Sequence, residues 1–220
     1  MNRNILIGAG VVVGLIAVAI GGVAVAASMQ PDQLVVERNI DIAAPPEDVH
    51  AAVGDFKTFA TWTPWDFDPN MVVETSDPST GVGAWYTWKG NQDVGSGRME
   101  LSKVEPLLLE VDLEFKEPMA GLADVTYTLT PNGDTTNLSW KMEMDQGFGG
   151  KVAALFMDMD GMIGADFERG LGRVKAKVES GEVGAPEPPV AEDEAGAAAG
   201  GSVESDATDA TDATDDTDAG

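Results

Sequence analysis

The side chains that most often carry catalysis are scarce. The 220 residues include no cysteine and a single histidine, His50. That removes thiol nucleophiles, disulfides, Cys-based zinc sites and any two-histidine metal site. His50 follows Val49 in a segment where Val49, Ala52, Val53 and Phe56 recur at helical spacing, and it falls off that stripe, so it is expected at the surface. Acid–base work would then fall to carboxylates, which donate protons near neutral pH only when burial or a like charge raises their pKa. Asp158, Asp160, Asp166 and Glu168 are the clustered candidates, yet Asp158 and Asp166 lie off the apolar stripe of Phe156, Met159, Ile163 and Phe167. There is no positioned carboxylate pair, nucleophile elbow or phosphate-binding loop. Asp66-Phe67-Asp68-Pro69-Asn70 starts like a calcium loop, but Met71 replaces the required glycine and Asp77 the closing glutamate, so it reads as a turn. Asn137-Leu138-Ser139 has the form of a glycosylation sequon but falls in a strand-like run and is expected to be idle. No metal and no cofactor are expected.

These residues sit in a chain of formal net charge −25, with 13 basic and 38 acidic side chains. Such acidity repels phosphate backbones and argues against nucleic-acid binding. The charge is unevenly spread and defines three regions: residues 1–28, 33–181 and 182–220.

Residues 5–27 form a run of 23 without a charge. As a helix it would span roughly 30 Å, the thickness of a bilayer core. Arg3 precedes it and no base follows until Arg38, so the positive-inside rule puts the N-terminus in the cytoplasm and the rest outside. Residues 1–28 are therefore expected to be a transmembrane signal anchor. The rival is a cleaved signal peptide ending near Ala24-Val25-Ala26, which would make the domain secreted. Residues 182–220 carry 12 acids and no base, open with a proline-rich stretch and end in repeats of Asp-Ala-Thr from Asp206. Lacking aromatic residues, Leu, Ile and Met, this tail cannot bury enough apolar surface to offset its ordering entropy and is expected to be disordered.

Between them, the hydropathy pattern predicts one strand, two short helices, six more strands and a long helix. Leu34–Ile42 reads as the first strand. Pro45 and Pro46 with Glu47 and Asp48 open a helix, and a second covers 56–61 until Trp62-Thr63-Pro64-Trp65 stops it. Strand-like runs follow at 71–76, 83–89, 97–104, 108–115, 123–130 and 136–144, separated by Pro- and Gly-containing turns. Their alternation of apolar and polar residues indicates an antiparallel sheet with one wet face. The 83–89 and 123–130 runs fit two registers, and a one-residue slip would exchange Trp88 for Trp85 on the inner face. A stripe at 3–4 spacing predicts a helix over 148–178, with Gly161, Gly164, Gly170 and Gly172 marking a bend or close backbone packing.

This order resembles the helix-grip fold of the START and birch-pollen-allergen-like (SRPBCC) superfamily. The local sequence is similar to its polyketide cyclase/dehydrase-like branch at Val36 to Val49, at Trp62-Thr63-Pro64-Trp65, at Gly81 to Ala84 leading to Tyr86-Thr87-Trp88-Lys89, and at Met162 to Leu171. The resemblance spans residues 34–180. It implies an α+β fold, a seven-stranded curved antiparallel sheet around a long C-terminal helix, here with an N-terminal transmembrane helix in front.

The resemblance also implies a cavity between sheet and helix, and hence a hydrophobic small molecule or lipid as partner. The expected lining is Trp88, Met99, Leu101, Val111, Leu113, Tyr127, Trp140 and Met142 from the sheet and Phe156, Met159, Ile163 and Phe167 from the helix. The same residues equally suit an ordinary filled core. The fold hosts lipid carriers, receptors, cyclases and chaperone regulators, so it leaves the activity open. A membrane-anchored binding protein, a cyclase- or dehydratase-type enzyme acting on an apolar substrate, and a pocketless interaction domain all remain. The scarcity of acid–base groups favours the first.

Overall fold

The computed structural model describes the backbone of residues 3–182 and the side chains of residues 14–182. The acidic tail expected beyond residue 182 lies outside the described residues. The first element is helix α1 (Arg3–Ser28). Among the described residues no helix is long and apolar enough to cross a membrane, so the span expected over 5–27 is not found there.

The domain starts with β1 (Gln33–Ile42), α2 (Pro46–Val53) and α3 (Phe56–Phe59). Pro46 opens α2 with its φ already helical, and Glu47 and Asp48 face the positive end of the dipole. Asp55 caps α3: its carboxylate accepts from the Lys57 amide at 2.8 Å and from the Ser79 hydroxyl at 2.6 Å, tying this turn to a later loop. Five hairpin-linked strands complete the sheet after β2 (Val72–Thr75): β3 (Trp85–Lys89), β4 (Ser96–Glu105), β5 (Leu108–Glu117), β6 (Gly121–Asn132) and β7 (Thr135–Asp145). All pairs are antiparallel and the order is β1-β7-β6-β5-β4-β3-β2. The α2–α3 crossover thus carries the chain across the sheet, so that the first strand ends beside the last. Irregularities in β4 at Ser96/Gly97 and Leu101/Lys103 sharpen the curvature.

Inner-face residues are those the alternation assigns. Met99 and Leu101, Leu109, Val111 and Leu113, Ala123, Val125 and Tyr127, and Leu138, Trp140 and Met142 are all buried. Tyr86 and Trp88 share this face, while Trp85 points outward under the Arg98 guanidinium at 4.9 Å. That fixes the register of β3.

The long helix expected over 148–178 is two helices, α4 (Phe148–Ala153) and α5 (Met159–Ser180). The break falls before the glycines. Asp158 starts α5 as its cap, its Oδ1 accepting from the Gly161 amide at 2.9 Å, and Gly181 ends it in the left-handed region. Phe156 falls in the break and stands 74% exposed, which removes it from the interior that an unbroken stripe assigned to it.

Candidate functional site

The interior wall is aromatic. On the sheet side Trp88 lies between Tyr86 and Phe115, at ring-centroid distances of 6.3 and 6.1 Å. Tyr86 meets Phe56 at 5.9 Å and Phe59 at 5.2 Å from α3. Trp62 joins this group to a second one: it sits 4.8 Å from Phe59 and 5.6 Å from Trp140. In the second group Trp140 stacks on Phe167 of α5 at 4.1 Å and 10°, with Tyr127 at 5.5 Å and Trp65 at 5.8 Å.

The placement of these rings follows from local anchors. Trp62 Nε1 donates to the Ala52 carbonyl at 3.1 Å, which locks the ring under α2. Trp65 Nε1 donates to Asp166 at 3.0 Å, and Arg173 donates to the Thr63 carbonyl at 2.6 Å and to Asp66 at 2.9 Å. The 62–66 segment is thereby held onto α5. Asp68 is buried and accepts from the Asn70 and Asn91 amides at 2.9 and 2.7 Å. The acidic segment that began like a calcium loop is a turn fastened to the β3–β4 connection. Gly97 makes room for Trp88, because a Cβ there would lie 2.3 Å from the indole ring.

Three polar groups of the aromatic wall make no hydrogen bond to the described residues. The phenols of Tyr86 and Tyr127 make no hydrogen bond among the described residues, and burial pushes both pKa values well above the ordinary 10.0. Trp140 Nε1 is buried without a partner. These groups stay neutral at physiological pH; they can donate a hydrogen bond to a ligand oxygen but cannot serve as bases there. Asp160, Asp166 and Glu168 pair with arginines at the surface of α5 instead of entering the interior. Among the described residues no cluster of side chains could hold a metal.

The family model for polyketide cyclase / dehydrase and lipid transport matches residues 33–179. The chain belongs to this family. As a family member it resembles the di-domain ARO/CYC protein StfQ of the steffimycin biosynthetic pathway, with a TM-score of 0.51 at 10% identity over 67% of this chain and 51% of that one. That likeness shows a common fold. The CV1439 protein of Chromobacterium violaceum matches with a TM-score of 0.49 at 18% identity, over 68% of this chain and 99% of its own. The Aha1 dimer of Colwellia psychrerythraea gives 0.49 at 16%, over 68% and 98%. None of the curated proteins matches the sequence.

Of the residues expected to line a cavity in this family member, Met99, Leu101, Val111, Leu113, Tyr127, Trp140, Met142 and Phe167 are buried between sheet and helices. Trp88 and Ile163 are partly buried against the same core, and Met159 is half-buried at the start of α5. The expected lining left out Phe59, Trp62, Trp65, Phe115 and Tyr86, the last although it shares a strand face with Trp88. Three of these come from α3 and the turn after it, where no periodicity marks an inner face, although two lie in the Trp62-Thr63-Pro64-Trp65 segment that carried the resemblance. Phe115 continued the β5 alternation and was legible. His50 is not the surface residue expected: it is half-buried, and its Nε2 is enclosed without a partner, in a helix that packs onto α5 and β6.

Proposed function

We propose that the protein binds a hydrophobic small molecule or lipid between its sheet and α5, and that α1 holds it to a membrane with the domain on the outer side. The observation that carries the binding reading is the aromatic wall, in which Trp140 Nε1 is buried without a partner and the Tyr86 and Tyr127 phenols make no hydrogen bond to the described residues. A filled core would pair a buried N–H, whereas a ligand with an apolar body and one or two oxygens would satisfy the indole and the phenols. The family description, which includes lipid transport, agrees with this. The anchor reading rests on the uncharged run at 5–27 of the sequence and on exposed Leu15, Ile16, Val18 and Ile20 within it.

Native mass spectrometry of the gently purified full chain, followed by organic extraction, tests the binding reading. A reproducible co-purifying apolar molecule is expected. Absence of any ligand, together with no uptake of an apolar dye, would overturn it. Resistance of the protein to alkaline carbonate extraction from membranes is expected of an anchor, and a chain released into the supernatant would refute that part. A cyclase-type enzyme is the second reading, favoured only by the two neutral phenols as proton donors. It requires that Tyr86→Phe or Tyr127→Phe abolish turnover while ligand binding persists.

A further inference from the structure

The register of the sheet defines two ends. At one, Gln33 faces Asp145, Ala123 faces Met144 and Phe115 faces Gly121. The exit of α1, the β5–β6 hairpin tip and the start of α4 therefore lie together. At the other, Ile42 faces Thr136 and Asn132 faces Thr135.

The exposed apolar side chains are unevenly divided between these ends. The α1 end carries Met29 and Met119, each 81% exposed, with Phe148 at 60% and, in the link from α4 to α5, Phe156. The far end shows Val82 and Leu107 among polar turns. α4 is fixed at the α1 exit: the Gln146 amide donates to the Asp32 carbonyl at 2.7 Å, Lys151 pairs with the Asp32 carboxylate, and α4 packs against α1 itself. Residues 146–157 contain no acid and one base, Lys151, in a chain of net charge −25.

We propose that this end of the domain docks on the lipid surface, with Phe148, Phe156 and Met119 inserted at the interface around α1. The inference rests on α1 being the anchor, since the exposed Ile20 and Val25 of α1 are followed by exposed Met29 at its exit, where α4 packs against α1. Large apolar side chains exposed next to a membrane-entering helix gain by leaving water for the acyl boundary. Electrostatics does not supply the attraction, because Asp32, Glu117 and Asp145 lie at the same end and repel anionic headgroups. Docking should therefore occur on phosphatidylcholine alone and survive high salt.

The cysteine-free chain allows a direct test. The full-length protein carrying Phe148→Cys, Phe156→Cys, Met119→Cys, Ile20→Cys or Asn132→Cys is labelled with an environment-sensitive fluorophore. Each is then reconstituted in phosphatidylcholine vesicles with and without doxyl-labelled lipid. Quenching by lipid is expected at 20, 148, 156 and 119, with most of the emission lost and no change in 1 M salt, while position 132 is quenched only by aqueous iodide. Quenching at 20 without quenching at 148, 156 and 119 would overturn the docking and leave the anchor standing. No quenching at 20 would remove the anchor and the docking together. Lipid quenching at 132 equal to that at 148 would show non-specific adsorption and also overturn it.

Discussion

The Arg38 guanidinium occupies the space that a side chain at position 164 would need: a Cβ on Gly164 would stand 1.9 Å from its Nη2. Arg38 sits on the inner side of β1 beneath α5, donating to Asp160 at 3.0 Å and Glu168 at 3.1 Å, and these two acids raise its pKa. The helix is thus laid onto the sheet edge by a cation that needs a glycine above it. The obstructing group is the tip of a flexible side chain, so it can move. Gly164→Ala should gain about 1 kcal/mol of helix propensity and lose most of that gain by displacing Arg38 from its partners. In an Arg38→Ala background the same substitution should stabilise by about the full 1 kcal/mol. Urea unfolding of the four proteins of this cycle measures the difference, and strict additivity would contradict the contact.

Gly97 presents the opposite case. Its added Cβ would meet the Glu114 carbonyl at 2.4 Å as well as the Trp88 indole, and backbone in mid-sheet cannot yield. Gly97→Ala should cost about 1–3 kcal/mol and change the tryptophan emission spectrum. The double variant with Trp88→Ala should recover only part of the loss, because the clash with the Glu114 carbonyl remains.

Both glycines show where sequence stops being informative. Each strand lies within two residues of its expected bounds, and Trp140 faces inward as the alternation requires, because alternation depends only on which side is wet; of the two registers open for the strands of Trp88 and Tyr127, the structure takes the one that turns both inward. The break at 154–158 was hidden because its apolar residues keep helical spacing, and Phe156 followed it to the wrong side. The Asp158 cap was present in the sequence, but an aspartate inside an apolar stripe reads as a surface residue. Whether a glycine yields space to an indole or a guanidinium depends on a partner tens of residues away, which no local pattern contains.

The two tyrosines give the molecule a pH signature. Both phenols ionise near 10.0 once the chain unfolds, while burial raises them in the native state. Their contribution to stability is complete below pH 10 and declines as pH rises above it, by up to about 1.4 kcal/mol per pH unit for each phenol. Absorbance at 295 nm should show no phenolate until the protein unfolds. Tyr86→Phe and Tyr127→Phe should each flatten the alkaline loss, the lysine contribution being common to all variants. Phenolate appearing near pH 10 in the folded protein would show that the rings are open to water.

The stacked pair on α5 should be unequal. Phe167→Ala leaves a cavity against Trp140 and should cost about 3–5 kcal/mol. Trp140→Phe removes an indole N–H that has no partner, so no hydrogen bond is lost and the cost should be about 1–2 kcal/mol. Chemical denaturation monitored by far-UV circular dichroism separates the two. A larger cost for Trp140→Phe than for Phe167→Ala would mean that its Nε1 is engaged.

The pairing of β1 with β7 alone has a temporal meaning. Strands β2 to β7 each find their neighbour within a hairpin as they are made, but β1 waits for a partner about a hundred residues later in synthesis. Until residues 135–145 emerge, the first strand has an unpaired backbone immediately after α1, a template open to any other extended segment. The sheet is completed by the oldest and youngest strands together, and α5 arrives last to cover that seam. A ribosome stalled before β7 should therefore leave β1 sensitive to added protease while the β3–β6 hairpins are already protected, so the domain becomes whole in one late step rather than growing from its N-terminus.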